Sequence, residues 1–255
     1  MTSPADDPYL PDEAAGTAPG RARLTGRRIL VVGAGTRPCP DPDPPMGNGR
    51  AISVLAAREG AAVACADKDR GAAQETARLA RAEGGTAEVL VADVAEPQAC
   101  ADLVTAAAAA LGGLDGLVLN VGFALGRGIT GTTAQEWDDV FAVNTRAHFL
   151  VSAAALPVLA PRSSIVYISS AASLRAATGA PSYDASKAAL LGICRPGASE
   201  GPADPGQPGR AQPGRHAARP GRVPAEPGPH RAAPAVRPPG HRLGGRLRGD
   251  LAALG

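Results

Sequence analysis

Residues 163–194 read SSIVYISSAASLRAATGAPSYDASKAALLGIC, and the period of the chain changes halfway along them. Ile165, Val166, Tyr167 and Ile168 form a short β-branched apolar run that predicts a strand. The stretch ends as a helix in which Tyr183 and Lys187 stand four residues apart, a spacing that stacks both side chains on one face. A tyrosine hydroxyl is a poor acid or base near neutrality, with a free pKa of about 10. A cation held beside it favours phenolate, so such a pair can move a proton to or from an alcohol or carbonyl oxygen. Ser169 and Ser170, at the end of the strand, offer a hydroxyl to orient that oxygen. The same pair also fits an ordinary solvated helix face.

The wider pattern is more specific. Ser170, then Tyr183, then Lys187 in Tyr-Asp-Ala-Ser-Lys resemble the active-site signature of the short-chain dehydrogenase/reductase family. The resemblance implies that Tyr183 is the acid/base, that Lys187 lowers its pKa and holds the nicotinamide ribose, and that Ser170 binds the substrate oxygen. It also implies reversible hydride transfer between nicotinamide and a small-molecule alcohol or carbonyl substrate.

The chain before this stretch alternates strand and helix. Residues 28–33 (RILVVG) read as a buried strand, followed by Gly33 and Gly35 and, after a detour, by Gly47-Asn48-Gly49. Residues 50–59 then read as a helix. A strand, a glycine turn and a helix N-terminus make a site for a pyrophosphate, because free backbone N–H groups point at it. The segment TRPCPDPDPPM, residues 36–46, interrupts the family's glycine spacing and is expected to loop outward with Asp41 and Asp43 facing solvent. A turn that binds nothing is the plainer alternative. Residues 61–66 form a second strand ending at Asp67, whose carboxylate can accept from adenosine ribose hydroxyls and repel a 2′-phosphate. That favours NAD(H) over NADP(H), with Lys68 and Arg70 nearby keeping the choice open; Asp67 equally fits a turn or cap. A helix over 70–83 follows, with Asp69 as its N-cap.

Residues 86–92 predict a third strand, after which Asp93 and Val94 approach the adenine by family resemblance. Pro97 opens a helix to Leu111. Residues 114–119 are a fourth strand, and Asn120-Val121-Gly122 stands where the family has Asn-Asn-Ala-Gly, with Asn120 and Gly122 supporting sheet and cofactor. Thr133-Ala134-Gln135-Glu136 is a capping box for a long helix through Trp137, Phe141 and Phe149. Asn144 matches the family asparagine that kinks this helix and joins the proton relay through water; an exposed asparagine is the alternative. Pro157 and Pro161 close the helix. Five strands alternating with helices predict an α/β, Rossmann-like, doubly wound parallel sheet, with a sixth and seventh strand not visible.

Composition sets the bounds. The 255 residues are 44% hydrophobic but only 3% aromatic, so Ala, Val and Leu must fill the core. Cys39, Cys65, Cys100 and Cys194 form no C-x-x-C pair, which fits reduced thiols in a cytoplasmic protein and no metal site. No apolar run approaches membrane-spanning length. Residues 1–23 read as a disordered leader. Residues 195–255 contain 12 Pro, 12 Gly, 10 Arg and 11 Ala, and the family pattern stops there. The prolines argue against any sustained helix beyond Cys194, and a changed reading frame would produce this composition. The expectation is therefore a dehydrogenase core, residues 24–194, impaired by an abnormal tail that leaves the fifth strand as a sheet edge. A homo-oligomer, expected of an intact family member, is in doubt here. Two rivals stand: a nucleotide-binding remnant without turnover, and a nucleic-acid binder acting through the basic tail, which lacks the aromatic residues and motifs such binding uses.

Overall fold

The computed structural model of the protein describes residues 12, 18–37, 39, 45–175 and 178–200. Five parallel strands make one sheet in the order β3-β2-β1-β4-β5. They are β1 (Arg28–Val32), β2 (Ala62–Asp67), β3 (Ala87–Val91), β4 (Leu114–Leu119) and β5 (Leu159–Tyr167). Helices α1 (Asn48–Arg58), α2 (Arg70–Ala82) and α3 (Pro97–Leu111) connect the first four. The chain runs outward from β1 to β3, then returns to the other side of β1 as β4. The order therefore reverses between β1 and β4, which opens a crevice at their carboxyl ends. Register sets the strand ends level there: Val32 pairs with Ala66 on one side and Leu119 on the other.

Both faces of the sheet are covered, which is why the strands read as unbroken apolar runs. Leu30, Val32, Leu117 and Leu119 pack against Leu103 and Val104 of α3 and against Val151. Val31, Val63 and Cys65 face Ala56 and Ala57 of α1 and Ala77 and Ala80 of α2. Small alanines let these helices lie close to the sheet. Asp69 caps α2 by accepting from Ala72 N at 3.0 Å.

The segment after β4 differs from one continuous helix. A short helix α4 (Gly128–Gly131) precedes α5 (Ala134–Phe141), which starts at the expected capping box. A π-helical turn over Ala142–Arg146 follows, then α6 (Ala147–Ala155). Such turns insert a residue into an α-helix and recur at functional sites. Asn144 is at its centre.

Three further expectations change. Pro161 does not end a helix; it lies inside β5. Leu114 pairs with Leu159 but Gly116 pairs with Ser164, so two steps along β4 match five along β5. The extra residues bulge out, Arg162 takes a left-handed φ of 62°, and the proline has no ladder bond to lose. Helix α7 (Pro181–Glu200) continues past Cys194 and through Pro196. A single proline removes one backbone donor and strains the turn before it without stopping a helix supported elsewhere. Of the expected leader, residues 12 and 18–23 are described, and 18–23 are tied down. Arg21 N and Arg23 N donate to Glu59 Oε2 at 3.1 and 3.0 Å, and the Arg23 guanidinium pairs with Glu59 Oε1 at 2.7 Å. The tail over 201–255 lies outside the described residues, as does most of 1–17. Among the described residues β5 pairs only with β4, and no helix is long and apolar enough to cross a membrane.

Candidate active site

The glycine loop is built on positions where a side chain does not fit. Gly33 leaves β1 with φ of 79°, a conformation glycine adopts without strain. Its carbonyl accepts from Asn120 Nδ2 at 2.8 Å, which ties the loop to the turn after β4. A Cβ on Gly49 would collide with that carbonyl and lie 2.7 Å from Asn120 Nδ2. A Cβ on Gly35 would lie 2.8 Å from Asp67 Oδ2 and 2.7 Å from Ala72 Cβ. Thr76, fully buried on α2, donates to Ala34 O at 2.9 Å and fixes the loop from beneath. The ends of the inserted segment are clasped, because Gly47 N donates to Thr36 Oγ1 at 3.2 Å. The chain enters α1 at Asn48, and so Gly49 stands beside Gly33 and Gly47 beside Thr36 despite the intervening residues.

Asp67 ends β2 with one backbone donor on each carboxylate oxygen: Gly35 N on Oδ2 at 2.9 Å and Asp69 N on Oδ1 at 3.0 Å. A cavity of about 600 Å³ opens there. Gly33, Gly35, Asp67, Asp93, Val94, Asn120 and Gly122 all line it. A neighbouring cavity of about 340 Å³ is lined by Gly35, Gly47, Asn48, Asn120, Gly122, Ser169, Tyr183 and Lys187. The two share Gly35, Thr36, Arg37, Asn120 and Gly122. Every residue expected at the cofactor except Gly49 therefore lines one connected space, of a size typical for a ligand site. Gly49 instead lets α1 approach Gly33.

Lys187 is 3% exposed. Its ammonium donates to Ile168 O at 3.0 Å and Val121 O at 3.3 Å, the carbonyls just beyond β5 and β4. Burial pulls it down from its ordinary value to about 8. Nζ is 6.0 Å from the centre of the Tyr183 ring, the outer edge of cation–π range. The side-chain stacking expected of the i, i+4 pair is thus present, and the solvated-face alternative fails for Lys187.

Asn144 is fully buried, and its amide is saturated. Oδ1 accepts from Phe123 N at 3.0 Å; Nδ2 donates to Phe123 O at 2.9 Å and to Ser186 Oγ at 3.0 Å. It clamps the loop after β4 to α7, so its side chain is a bracket for the site and the exposed-asparagine alternative fails. Ser170 is half-buried, and its hydroxyl accepts from Ala172 N at 3.2 Å at the start of a 3-10 turn over Ala171–Ser173. Ser169, not Ser170, lines the cavity with Tyr183.

Several site residues were not singled out from sequence. Ser186 receives Asn144 Nδ2 and donates to Tyr183 O at 2.8 Å; its place three residues after Tyr183 was the available signal. Thr36 and Arg37 border both cavities, though they sit inside a segment that reads as an interruption. His148 is fully buried one turn after Asn144, with Nδ1 3.3 Å from Val143 O. Burial, with the Lys187 charge as a second cause, holds it down to about 4, so the imidazole is neutral at pH 7.

Comparison with known proteins agrees with this geometry. Residues 46–203 match a family model described as enoyl-(acyl carrier protein) reductase. A (3R)-3-hydroxyacyl-CoA dehydrogenase from Homo sapiens is 35% identical over 189 residues, covering 70% of this chain and 69% of its own. A short chain dehydrogenase from Mycobacterium smegmatis superposes with a TM-score of 0.65 at 28% identity, covering 72% of this chain and 74% of its own. A short chain dehydrogenase from Burkholderia cenocepacia J2315, solved in complex with NADP, gives a TM-score of 0.58 at 32% identity, with coverage of 67% and 66%.

Proposed function

Because the chain belongs to the short-chain dehydrogenase/reductase family of NAD(P)-dependent oxidoreductases, we propose that Tyr183 passes the proton in a reversible alcohol–carbonyl interconversion at this site. The observation that carries the proposal is that Tyr183 and Lys187 line the same cavity as Gly35, Gly47, Asn120 and Gly122. The dinucleotide fits these residues: Gly35 lines both cavities without a side chain, and α1 begins beside them, as pyrophosphate binding requires. When bound, the nicotinamide supplies the hydride chemistry.

The chain's own residues do the rest. Tyr183 holds or releases the proton at its phenolic oxygen. The Lys187 ammonium, fixed by two carbonyls, offers its remaining hydrogen to the nicotinamide ribose. Ser170 itself lines neither cavity but follows Ser169, which does; its hydroxyl accepts from Ala172 N and keeps its own proton free to donate to the substrate oxygen. Asn144 keeps the Phe123 loop and α7 in register and joins the proton relay through water. Asp93 and Val94 border the adenine end.

NAD(H) is the preferred cofactor in this reading. Each Asp67 oxygen has accepted one N–H and retains a lone pair for a ribose hydroxyl, and its charge opposes a 2′-phosphate. Arg37 and Lys68 border the same cavity and are the groups that would favour the phosphate. A cytoplasmic location belongs to the same proposal. The test is oxidation of an alcohol panel by the purified chain with NAD+ and with NADP+. Nicotinamide reduction that disappears in Tyr183→Phe supports the proposal. NADH binding without turnover on any alcohol makes the chain a nucleotide-binding remnant instead.

A further inference from the structure

We propose that the mouth of this site selects alcohols and ketones that carry an anionic group joined to the reacting carbon through an apolar segment. The inference rests on the dehydrogenase reading above for the place of the reacting carbon, but on separate residues for the selectivity.

The loops that leave β4 and β5 emerge from adjacent parallel strands at the same end of the sheet. They are pinned together just before the catalytic helix. Ser182 Oγ donates to Leu125 O at 2.9 Å, and Gly128 N donates to Gly179 O at 2.8 Å. Arg127 lies between those two pins, and Ser182 is the neighbour of Tyr183. Arg175 lies on the other loop, where its N–H donates to Ala171 O in the turn that starts at Ser170. Both arginines are therefore anchored by backbone bonds close in sequence to the residues that handle the substrate oxygen.

The chemistry of these loops is one-sided. Residues 120–133 and 168–180 contain no Asp or Glu, and Arg127 and Arg175 are their only charged residues. Both side chains are exposed, and neither takes part in an ion pair among the described residues. Among the other arginines, Arg23, Arg28, Arg58 and Arg78 each hold a carboxylate. Close in sequence to the two cations are exposed large apolar side chains, Ile129 at 82% and Leu174 at 88%, with Leu125 at 36%. A neutral polar alcohol would use none of this. An apolar spacer would cover Leu125, Ile129 and Leu174, and a carboxylate, sulfonate or phosphate at its far end would meet a guanidinium.

The test is calorimetric binding to the full chain saturated with NAD+, which needs no turnover. The probes are keto acids of increasing chain length, with the ketone next to the terminal methyl, and their methyl esters. At least one acid should bind about tenfold tighter than its ester, and the advantage should shrink with salt. The double variant Arg127→Gln/Arg175→Gln should erase that preference and leave ester binding unchanged. Equal binding of acid and ester at every length, binding of neither, or a preference that survives the double variant overturns the proposal. Failure of the dehydrogenase reading looks different: the acid preference and its loss in the variant remain, but NADH is not oxidised by any ketone.

Discussion

Replacing Asn144 by alanine removes three hydrogen bonds from a side chain that is 0% exposed. The partly buried Phe123 N–H loses its acceptor, and the Phe123 carbonyl loses the amide that reaches it. An orphaned buried group costs about 1–3 kcal/mol, and the vacated volume adds to it. Ser186 loses least, because it still donates to Tyr183 O at 2.8 Å. The sum is a destabilisation of about 2–4 kcal/mol by urea unfolding. Asn144→Asp separates the parts: a carboxylate can still accept from Phe123 N but cannot donate to Phe123 O. It should fall between wild type and alanine at a pH where the buried acid is protonated, and drop further where it is ionised. Loss of less than about 1 kcal/mol in Asn144→Ala, or an aspartate variant no better than alanine at any pH, would refute the bracket assigned to this residue.

Other perturbations bear on other parts of the site. Gly35→Ala places a Cβ 2.8 Å from Asp67 Oδ2 and 2.7 Å from Ala72 Cβ, so NADH affinity measured by fluorescence should fall while the melting curve shifts only modestly. Lys187 is held at about 8 against an ordinary 10.5. Between those values the unfolded chain keeps a proton that the folded chain releases, so the cofactor-free protein should gain stability as pH rises through that window, by about 3 kcal/mol from this group. Unfolding of Lys187→Met across the same pH range should show the rise missing. Glu59 is held at about 2, chiefly by its hydrogen bond from Arg23. Its contribution is present above the ordinary carboxylate value of 4.5 and is lost as pH falls towards 2. Carboxyl NMR of Arg23→Ala should find Glu59 titrating closer to 4.5.

What was legible in the sequence was local. The five strands, the Asp69 cap and the Thr133–Glu136 capping box follow from short-range patterns, and the structure has each of them. Tyr183 and Lys187 face the same way because helical spacing requires it. What was not legible depends on partners distant in the chain. Asn144 looked like a helix-weakening residue with a water-mediated role, and its true partners, Phe123 and Ser186, lie 21 and 42 residues away. Pro161 looked like a helix stop, because only the register of β4 against β5 reveals the bulge that accommodates it. Residues 18–23 have a disordered composition, yet Glu59, 36 residues beyond Arg23, gives their backbone and guanidinium a partner. The insertion obscured the glycine spacing, but the Thr36–Gly47 bond restores it in space.

The account stands or falls on Tyr183 as the group that moves the proton. The decisive measurement is steady-state oxidation of secondary alcohols by wild type and Tyr183→Phe, alongside NADH titration of both. The account predicts turnover in wild type, a loss of at least about a hundredfold in kcat for Tyr183→Phe, and unchanged NADH affinity. Turnover retained in Tyr183→Phe, with the cofactor bound as before, would contradict it.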